Sequence, residues 1–464
     1  MPAFFVTLRS DGGDCFRTLR ERMDSPRYIL ILYTTLYRKG GPGFEQVAAT
    51  MEEEKRGQFP NHIVVRKAVE RKSEFLQQIS EVMAAHGTIT EFHFIGHSGM
   101  YGIMFGTTKW PEQFSPYEWK QMKIPFAPKG RFYFHACRTG RWFAPFIARL
   151  FGVRTYGYYW YTTFSKSAQR FRWPGPSPAK AEKLYVVSCP GRKSHGVLAS
   201  VYKYSARPRV YPLLEFSPLE QAADGSYDAV AELYDQTFQD IGVRADEWTW
   251  LTSSLGDLRR KRVLDIGCGN GALLRKLSER FVGDFQAAGV DASAKMIEQA
   301  GRRCSHLPHL SFHQVNGPFL PFADGSFDCV ISLLSFRYLD WDPILQEILR
   351  VLQPGGEIFV VDMVAAPVKL RELPIFFKSK ALAYTQRLRQ PEYFRALRRM
   401  VDHEGWKQML KYNPMRAEHE MKWYLESRFP GHPVKPINVG WNSRILAFRS
   451  GPVTVKKLEP MSFP

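Results

Sequence analysis

The chain has 464 residues, of which 44% are hydrophobic and 14% aromatic, a length that exceeds one hydrophobic core and predicts two domains. No apolar run is long enough to cross a bilayer, and the N-terminus turns polar too soon for a secretion signal, so we expect a cytoplasmic protein without a transmembrane segment. The six cysteines form no C-x-x-C pair and none has zinc-site spacing to histidine, which excludes a recognisable metal motif and argues against a disulfide scaffold.

The net charge of +19 is unevenly distributed along the chain. Up to Glu215 there are 32 basic and 16 acidic residues, whereas the remainder has 32 and 29. A basic N-terminal half favours attraction to nucleic acid or another anionic partner. The alternative is a solubilising surface with no specific partner.

The first half alternates apolar strand patterns with amphipathic helical patterns. This alternation predicts an α/β domain with a mostly parallel sheet, in which reactive residues lie at the carboxyl ends of strands. The strand patterns are RYILILYTTL, HIVVRKAV, EFHFIGHS, RFYFHACR and VRTYGYYWYTTF, and the helical patterns are KSEFLQQISEVMAAHG and RWFAPFIARLFG.

The segment GHSGM, residues 96–100, nearly matches the G-x-S-x-G nucleophile elbow of serine hydrolases. Met100 replaces the second glycine, and the following YGIMFG predicts a strand where the elbow needs a helix, so Ser98 fits poorly as a nucleophile. His97 is the alternative reactive residue, as a base. It would need a nucleophile at a neighbouring strand end, and Cys137 ends the apolar run RFYFHAC.

The two motifs GHSG and HACRTG resemble those of caspase-like cysteine peptidases, over about residues 28–164. The resemblance implies His97 as the base, Cys137 as the nucleophile and His135 in the lining of the substrate pocket. Backbone amides near Ser98 and Cys137 would form the oxyanion hole. Ser98 stands where the family has glycine, and His135 replaces Gln or Asp, so cleavage specificity does not transfer. A non-catalytic binding platform is the alternative.

The C-terminal half contains a glycine-spaced loop between a strand pattern and a helix pattern, in RVLDIGCGNGALLRKL, residues 262–277. Such a loop permits close approach of a ligand to the backbone. An acid, Asp291, follows the next strand pattern at the distance where a ribose is bound in dinucleotide folds. The segments LPFADGSFD and LRVLQPGG come next, after which NVGWNSRILAFRSG predicts closing strands.

Together these segments resemble the class I S-adenosylmethionine-dependent methyltransferases, over about residues 227–448. The resemblance implies a Rossmann-like sheet with S-adenosylmethionine as the cofactor and a small molecule or peptide as the methyl acceptor. Asp265 and the loop would hold the methionine part, Asp291 the ribose, and residues after Val315 the adenine. The implied cofactor-binding residues are Asp265, Gly267, Gly269, Gly271, Asp291, Ala292, Asn316, Gly317, Ser332 and Leu333.

Asn316 departs from the family, whose members often have an acid there, but its amide oxygen can still accept a hydrogen bond from adenine. A nicotinamide-dependent Rossmann enzyme is the rival interpretation, against which the glycine spacing argues. The substrate cover is predicted as a helical insert at about 364–436. Its candidate acceptor-binding residues are Arg395 and Trp406. Tyr384, Tyr393 and Phe394 are further candidate pocket aromatics, and His403, Glu404 and His419 are candidate bases.

We therefore predict two doubly wound α/β domains: a caspase-like domain at 1–206 and a methyltransferase domain at 227–464, joined by a linker at 207–226. The main function predicted is methyl transfer, with peptide cleavage by the N-terminal domain as an additional activity. Two alternatives remain open. One is a cysteine peptidase whose methyltransferase domain senses the cofactor, and the other is a non-enzymatic binder of nucleic acid or an anionic partner.

Overall fold

Two large β-sheets organise the chain in the computed structural model. The structure describes residues 25–99, 101–189, 197–206, 209–218, 227–281, 284–412 and 415–454. Met100, the outer ends of both predicted domains and parts of the predicted linker lie outside the described residues. Among the helices that the structure describes, none combines the length and the apolar character needed to cross a membrane.

The described residues of the N-terminal half form the first large sheet and two smaller sheets. The strands are β1 Arg27–Tyr33, β2 Ile63–Ala68, β3 Thr88–Ile95, β4 Ser98–Gly99, β5 Gly102–Gly106, β6 Pro111–Gln113, β7 Phe126–His135, β8 Arg154–Gly157, β9 Thr162–Ser165, β10 Tyr185–Ser188 and β11 Leu214–Phe216. The helices are α1 Gly41–Gln58, α2 Lys72–Ala84, α3 Pro116–Gln121, α4 Phe143–Phe151 and α5 Val197–Ala206.

The six-stranded sheet of this half has the order β11-β8-β7-β3-β1-β2 and is parallel except at β11. Strand β1 shows why both faces are covered. Ile29 and Ile31 pack on the side of α1, whereas Leu30 and Leu32 pack on the side of α2 and α4. Strands buried on both faces are typical of parallel α/β sheets. The α/β class predicted for this half is therefore confirmed.

The second sheet is built by the C-terminal half. The strands are β12 Arg262–Ile266, β13 Gln286–Asp291, β14 Leu310–Gln314, β15 Phe327–Leu333, β16 Leu352–Ala365, β17 Lys435–Val439 and β18 Ser443–Arg449. The helices are α6 Ala231–Thr237, α7 Ala245–Leu255, α8 Ala272–Phe281, α9 Ala294–Arg303, α10 Trp341–Val351, α11 Leu373–Arg389, α12 Pro391–Asp402, α13 Glu404–Tyr412 and α14 Glu418–Arg428.

This seven-stranded sheet has the order β14-β13-β12-β15-β16-β18-β17. The chain moves outward in one direction from β12 to β14 and then returns to the other side of β12 with β15. Such a reversal opens a crevice at the carboxyl ends of the two central strands, where ligands bind in open α/β sheets. The glycine-spaced loop leaves β12 at this crevice. The predicted Rossmann-like sheet is confirmed.

The predicted linker and cap differ in detail from the structure. Leu214–Phe216, inside the range 207–226, forms the antiparallel edge strand β11 and pairs with β8, so the first sheet extends into that range. Within the predicted insert, α14 packs against the body of the domain. Met421 and Leu425 of α14 are buried in the core beside the second sheet.

Candidate functional site

The loop after β12 turns sharply at three glycines. Gly267, Gly269 and Gly271 have φ values of 75°, 54° and 75°, a region that non-glycine residues rarely occupy. A Cβ atom on Gly267 would lie 2.3 Å from the Cβ of Ser335. The backbone can therefore follow this path only with glycine at position 267. Helix α8 begins directly after Gly271.

Asp291 ties this loop to the next strand end. Its Oδ2 accepts a hydrogen bond from the Gly269 amide at 2.9 Å, and its Oδ1 accepts one from the Ser293 amide at 2.9 Å. Burial raises the pKa of Asp291 even though these amides oppose the change. Each carboxylate oxygen can accept more than one hydrogen bond, so Asp291 retains capacity for a ligand's hydroxyl groups.

Asp265 lies beneath the loop and is 1% exposed. Its Oδ1 has no hydrogen-bond partner among the residues that the structure describes. Burial, with a further contribution from the Asp291 charge, raises the pKa of Asp265 to about 8. A buried carboxyl with an unpaired oxygen is costly on its own and is well suited to receive a cationic group.

The remaining predicted cofactor residues lie around this loop in two settings. Ala292, Asn316 and Gly317 are exposed, and the Ala292 carbonyl accepts a hydrogen bond from the Gln314 amide at 3.1 Å. Ser332 is instead buried, with its hydroxyl 2.6 Å from that of Ser335. The exposed residues are thus available to a ligand, whereas Ser332 supports the wall of the loop.

Leu333 is only partly buried at the end of β15. The residue after it, Leu334, has a φ of 61°, which is uncommon for a non-glycine residue. Its backbone is held by a hydrogen bond from its amide to the Val361 carbonyl at 2.7 Å. The strained turn fixes the direction in which the chain leaves the crevice.

An aromatic cluster adjoins the glycine loop and was only partly predicted. The Tyr227 ring lies about 6 Å from the rings of Tyr234, Tyr338 and Trp406. Trp406, which was predicted to bind the acceptor, thus contacts the segment preceding the first strand of the sheet. The distance in sequence between Tyr227 and Trp406 explains why the sequence motifs did not predict the whole cluster.

Other cap residues lie elsewhere. Arg395 is on the surface and pairs with Glu392 of its own helix. Tyr384 is 65% exposed. The candidate base His403 is exposed and accepts a hydrogen bond from the Gly405 amide at 3.1 Å. The pocket-lining and catalytic roles considered for these three residues stay predictions.

A cavity of about 330 Å³ lies at the carboxyl ends of β3 and β7 in the first sheet. His97 and Cys137 both line it, because β3 and β7 are adjacent parallel strands. The start of helix α14 in the C-terminal half supplies part of the wall through His419 and Glu420, together with the preceding residue Ala417. His419, considered as a base for methyl transfer, therefore belongs to this cavity instead.

The imidazole of His97 is held in one orientation. Its Nε2 lies 2.9 Å from the Lys39 carbonyl oxygen, so Nε2 carries the proton and donates, which leaves Nδ1 as the acceptor in the neutral ring. The rings of Tyr37 and Phe44 meet its ring edge-on. Burial lowers the pKa of His97, which favours the neutral, basic form at neutral pH.

Cys137 is partly exposed and is followed by a strained turn. Its sulfur accepts a hydrogen bond from the Thr162 amide at 3.3 Å and lies 3.2 Å from the Thr162 hydroxyl. Arg138 has a φ of 60°, so the chain turns sharply directly after Cys137. The Ser98 hydroxyl donates to the Cys137 carbonyl. This hydrogen bond from Ser98 stabilises the turn at Cys137.

His135 does not reach this cavity. Its side chain is buried, and its Nε2 lies 3.2 Å from Nδ1 of His93, whose other nitrogen is 3.1 Å from a Glu91 carboxylate oxygen. Burial lowers the pKa of His135 well below its ordinary value. The residue predicted to line a substrate pocket is placed in a buried polar row between strands.

Comparison with known proteins places residues 263–356 in a family described as methyltransferase domain. The chain is 29% identical over 167 residues to the demethylmenaquinone methyltransferase of Lactococcus lactis, covering 34% of this chain and 66% of that one. It is 32% identical over 146 residues to the 2-phytyl-1,4-naphtoquinone methyltransferase of Trichormus variabilis, covering 29% and 62%. The matched part of the chain spans about two thirds or less of the length of these curated relatives.

Solved structures of methyltransferases are also similar to this chain. A SAM-dependent methyltransferase from Aquifex aeolicus is 16% identical, with a TM-score of 0.33 over 49% of this chain and 99% of that one. Haemonchus contortus phosphoethanolamine N-methyltransferase 1, solved with phosphoethanolamine and S-adenosylhomocysteine, is 24% identical, with a TM-score of 0.26 over 29% and 30%.

The family match falls on β12 to β16, which carry the glycine loop, Asp265 and Asp291. The prediction of a class I methyltransferase for the C-terminal half is confirmed, and that of a caspase-like domain stays a prediction. The C-terminal half of this chain is a class I S-adenosylmethionine-dependent methyltransferase domain, with S-adenosylmethionine as its cofactor.

Proposed function

We propose that the C-terminal half methylates a hydroxylated aromatic ring of the naphthoquinol type. The observation that carries the methyl-transfer proposal is the loop at Gly267–Gly271 with Asp265 beneath it and Asp291 beside it. The acceptor class is supported by the names of the relatives, several of which act on naphthoquinones. The aromatic cluster of Tyr227, Tyr338 and Trp406 offers flat apolar surfaces for such a ring.

The residues around the loop fit S-adenosylmethionine. Asp265 would pair with the ammonium of the methionine part, which satisfies its orphan oxygen. Asp291 would accept the ribose hydroxyls while it remains bound to the loop amides, and Asn316 and Gly317 would border the adenine. When bound, the cofactor supplies a methyl group already activated on a sulfonium, so the protein's task is mainly to position the acceptor and exclude water.

A test of this assignment is titration calorimetry with S-adenosylhomocysteine. We expect binding by the wild type and about 30- to 100-fold weaker binding by Asp291→Ala, because hydrogen bonds to a charged carboxylate contribute about 1.5–3 kcal/mol each. Asp402→Ala is a matched control, since that carboxylate is exposed on α12. Absence of binding by the wild type would overturn the proposed activity.

The acceptor class is tested separately. The protein is incubated with methyl-labelled S-adenosylmethionine and a reduced 1,4-naphthoquinone that carries a short prenyl chain. We expect a product that is heavier by one CH₂ group and carries the label on the ring. The unreduced quinone should not react, because its ring carbon is not a nucleophile. Cofactor binding without transfer to the reduced ring would reject the acceptor but retain the methyltransferase.

We infer a second candidate function for the N-terminal half, cysteine-dependent peptide cleavage. The specific observation in its favour is that His97 and Cys137 share one cavity. With Nε2 of His97 bound to the Lys39 carbonyl, Nδ1 is the nitrogen available to take a proton from a thiol. The caspase-like identity of this half rests on the same two motifs.

This second function predicts that Cys137→Ala abolishes cleavage of a fluorogenic peptide library, whereas Cys189→Ala leaves it unchanged. Cys189 is a suitable control because it is fully buried in a separate small cluster. Because burial lowers the pKa of His97, activity should persist below pH 6.5 before the base is protonated. Cleavage that survives in the Cys137→Ala protein would exclude this assignment.

A further inference from the structure

Helix α11 presents an apolar stripe to solvent. Phe377, Ala381, Tyr384 and Leu388 recur at spacings of four, three and four residues and therefore share one face of the helix. Phe377, Tyr384 and Leu388 are 64%, 65% and 67% exposed. Three large side chains in line, each about two thirds exposed, are unusual on a surface that meets only water.

The rest of the helix fixes this orientation. Phe376, on another side of the helix, is 4% exposed and its ring lies 4.7 Å from that of Trp441. The Gln386 amide donates to the Val243 carbonyl, which attaches the same helix to the body of the domain. The stripe is thus held outward by packing on the other sides.

Basic side chains border the stripe on both sides. At 100° per residue, Lys380 and Arg387 lie on one flank, and Lys378 and Arg389 lie on the other. All four are exposed. The sequence of α11, LPIFFKSKALAYTQRLR, contains no acidic residue. Among the ion pairs of the described residues, none includes these four side chains.

We propose that this face of α11 docks on an anionic lipid bilayer, with Phe377, Tyr384 and Leu388 inserted between headgroups. An apolar stripe flanked by cations is the pattern of helices that lie in the plane of a membrane interface. Phosphate groups of anionic lipids complement the four cations. The helix, 17 residues long, would lie flat rather than span the bilayer.

The inference rests on the proposed acceptor class, because a ring with a long prenyl tail resides in the bilayer. Helix α11 is followed directly by α12 and α13, and α13 brings Trp406 to the aromatic cluster beside the cofactor loop. Docking through α11 would therefore place the membrane next to the segment that covers the methyl donor. A second copy of the chain is a poorer occupant, since self-pairing of this face sets cations against cations.

The experiment is flotation of the full chain with vesicles of phosphatidylglycerol and phosphatidylcholine, compared with phosphatidylcholine alone. We expect binding to the anionic vesicles that weakens with added salt. Phe377→Ser/Leu388→Ser and Lys378→Glu/Lys380→Glu should each reduce the apparent affinity at least tenfold. Tyr202→Ser, at an exposed aromatic on α5, is the matched control and should leave binding unchanged.

Equal binding by the wild type and both double variants, or no binding to anionic vesicles, would overturn the proposal. Self-association in light scattering that both double variants abolish, with no vesicle binding, would assign the face to a second copy instead. Calorimetry with S-adenosylhomocysteine on the same proteins separates this inference from the proposed function. Retained cofactor affinity with lost flotation identifies a docking defect, whereas no cofactor binding by the wild type rejects the methyltransferase activity itself.

Discussion

Asp265→Asn is expected to weaken binding of S-adenosylmethionine about 1,000-fold while making the unliganded protein more stable. The orphan oxygen of Asp265 and its pKa of about 8 mark a buried carboxyl without a cationic partner among the residues that the structure describes. Removing one member of a buried ion pair costs about 3–5 kcal/mol, and 1,000-fold corresponds to about 4 kcal/mol. The measurement is calorimetry, with S-adenosylhomocysteine as a second ligand that carries the same ammonium.

The sign of the pH dependence follows from the raised pKa. The unfolded carboxyl ionises near its ordinary value, whereas the folded one stays protonated to about pH 8, so wild-type stability falls as pH rises through this window. Because asparagine does not ionise, the Asp265→Asn variant does not lose stability in this way as the pH rises. The stability advantage of Asp265→Asn should be absent at acid pH and reach at least about 1 kcal/mol at pH 8, since one pKa unit equals about 1.4 kcal/mol.

Ligand binding by the wild type should show the complementary trend. Because the ammonium favours the ionised carboxylate, affinity should rise from pH 6 to pH 8, and binding should release a proton. Asp284→Asn is the control, since Asp284 is exposed and lies two residues before the strand that ends in Asp291. Undiminished affinity in Asp265→Asn, or lower stability at pH 8, would contradict the role given to this carboxyl.

The cofactor loop was predictable because its determinants are local. The strand, the three glycines and Asp265 are consecutive in sequence, and Asp291 follows from the pairing of two successive parallel strands. The same reasoning, that adjacent strand ends meet, placed His97 with Cys137, and the structure brings both into one cavity. Short motifs at strand ends therefore carry most of what the sequence could reveal.

Other features depend on contacts between distant segments, which no motif encodes. Arg416 stacks between the Tyr101 ring at 4.0 Å and the Trp341 ring at 3.5 Å, joining three separate parts of the chain. The spacing of the aromatic residues in α11 can be read from the sequence, but periodicity alone does not determine whether that face of the helix lines a pocket or is exposed to solvent. Tyr384 was predicted to line a pocket, yet packing of Phe376 turns it outward.

The contact between the two halves contains a buried ion pair network centred on Lys72. Its Nζ lies 2.7 Å from Oε1 of Glu118 and 2.7 Å from Oδ2 of Asp342, and the Arg428 guanidinium also approaches Asp342. Burial acts to lower the pKa of Lys72, but Asp342 and Glu118 outweigh it and raise the pKa. Lys72 favours the ionised form of both carboxylates: with Arg428 it lowers the pKa of Asp342, and it opposes the burial that raises the pKa of Glu118.

Lys72→Met should destabilise the protein by about 3–5 kcal/mol at pH 7, because Glu118 loses its buried cation and Asp342 keeps only that of Arg428. In the variant these carboxyls resist ionisation, so its stability falls as pH rises, and the deficit relative to the wild type should shrink near pH 5. Urea unfolding at both pH values measures this. Adding Glu118→Gln should recover part of the loss, because it removes one uncompensated charge while keeping the volume.

Lys120→Met provides the matched control, since Lys120 is exposed on α3, the helix that carries Glu118. It should change the free energy of unfolding by under about 0.5 kcal/mol, as is usual for surface substitutions. A deficit in Lys72→Met that is equal at pH 5 and pH 7 would show that lost packing, rather than unpaired charge, causes it. The network joins residues from both sheets, so a pH-dependent deficit would show that the electrostatic contact between the halves contributes to the stability of the whole chain.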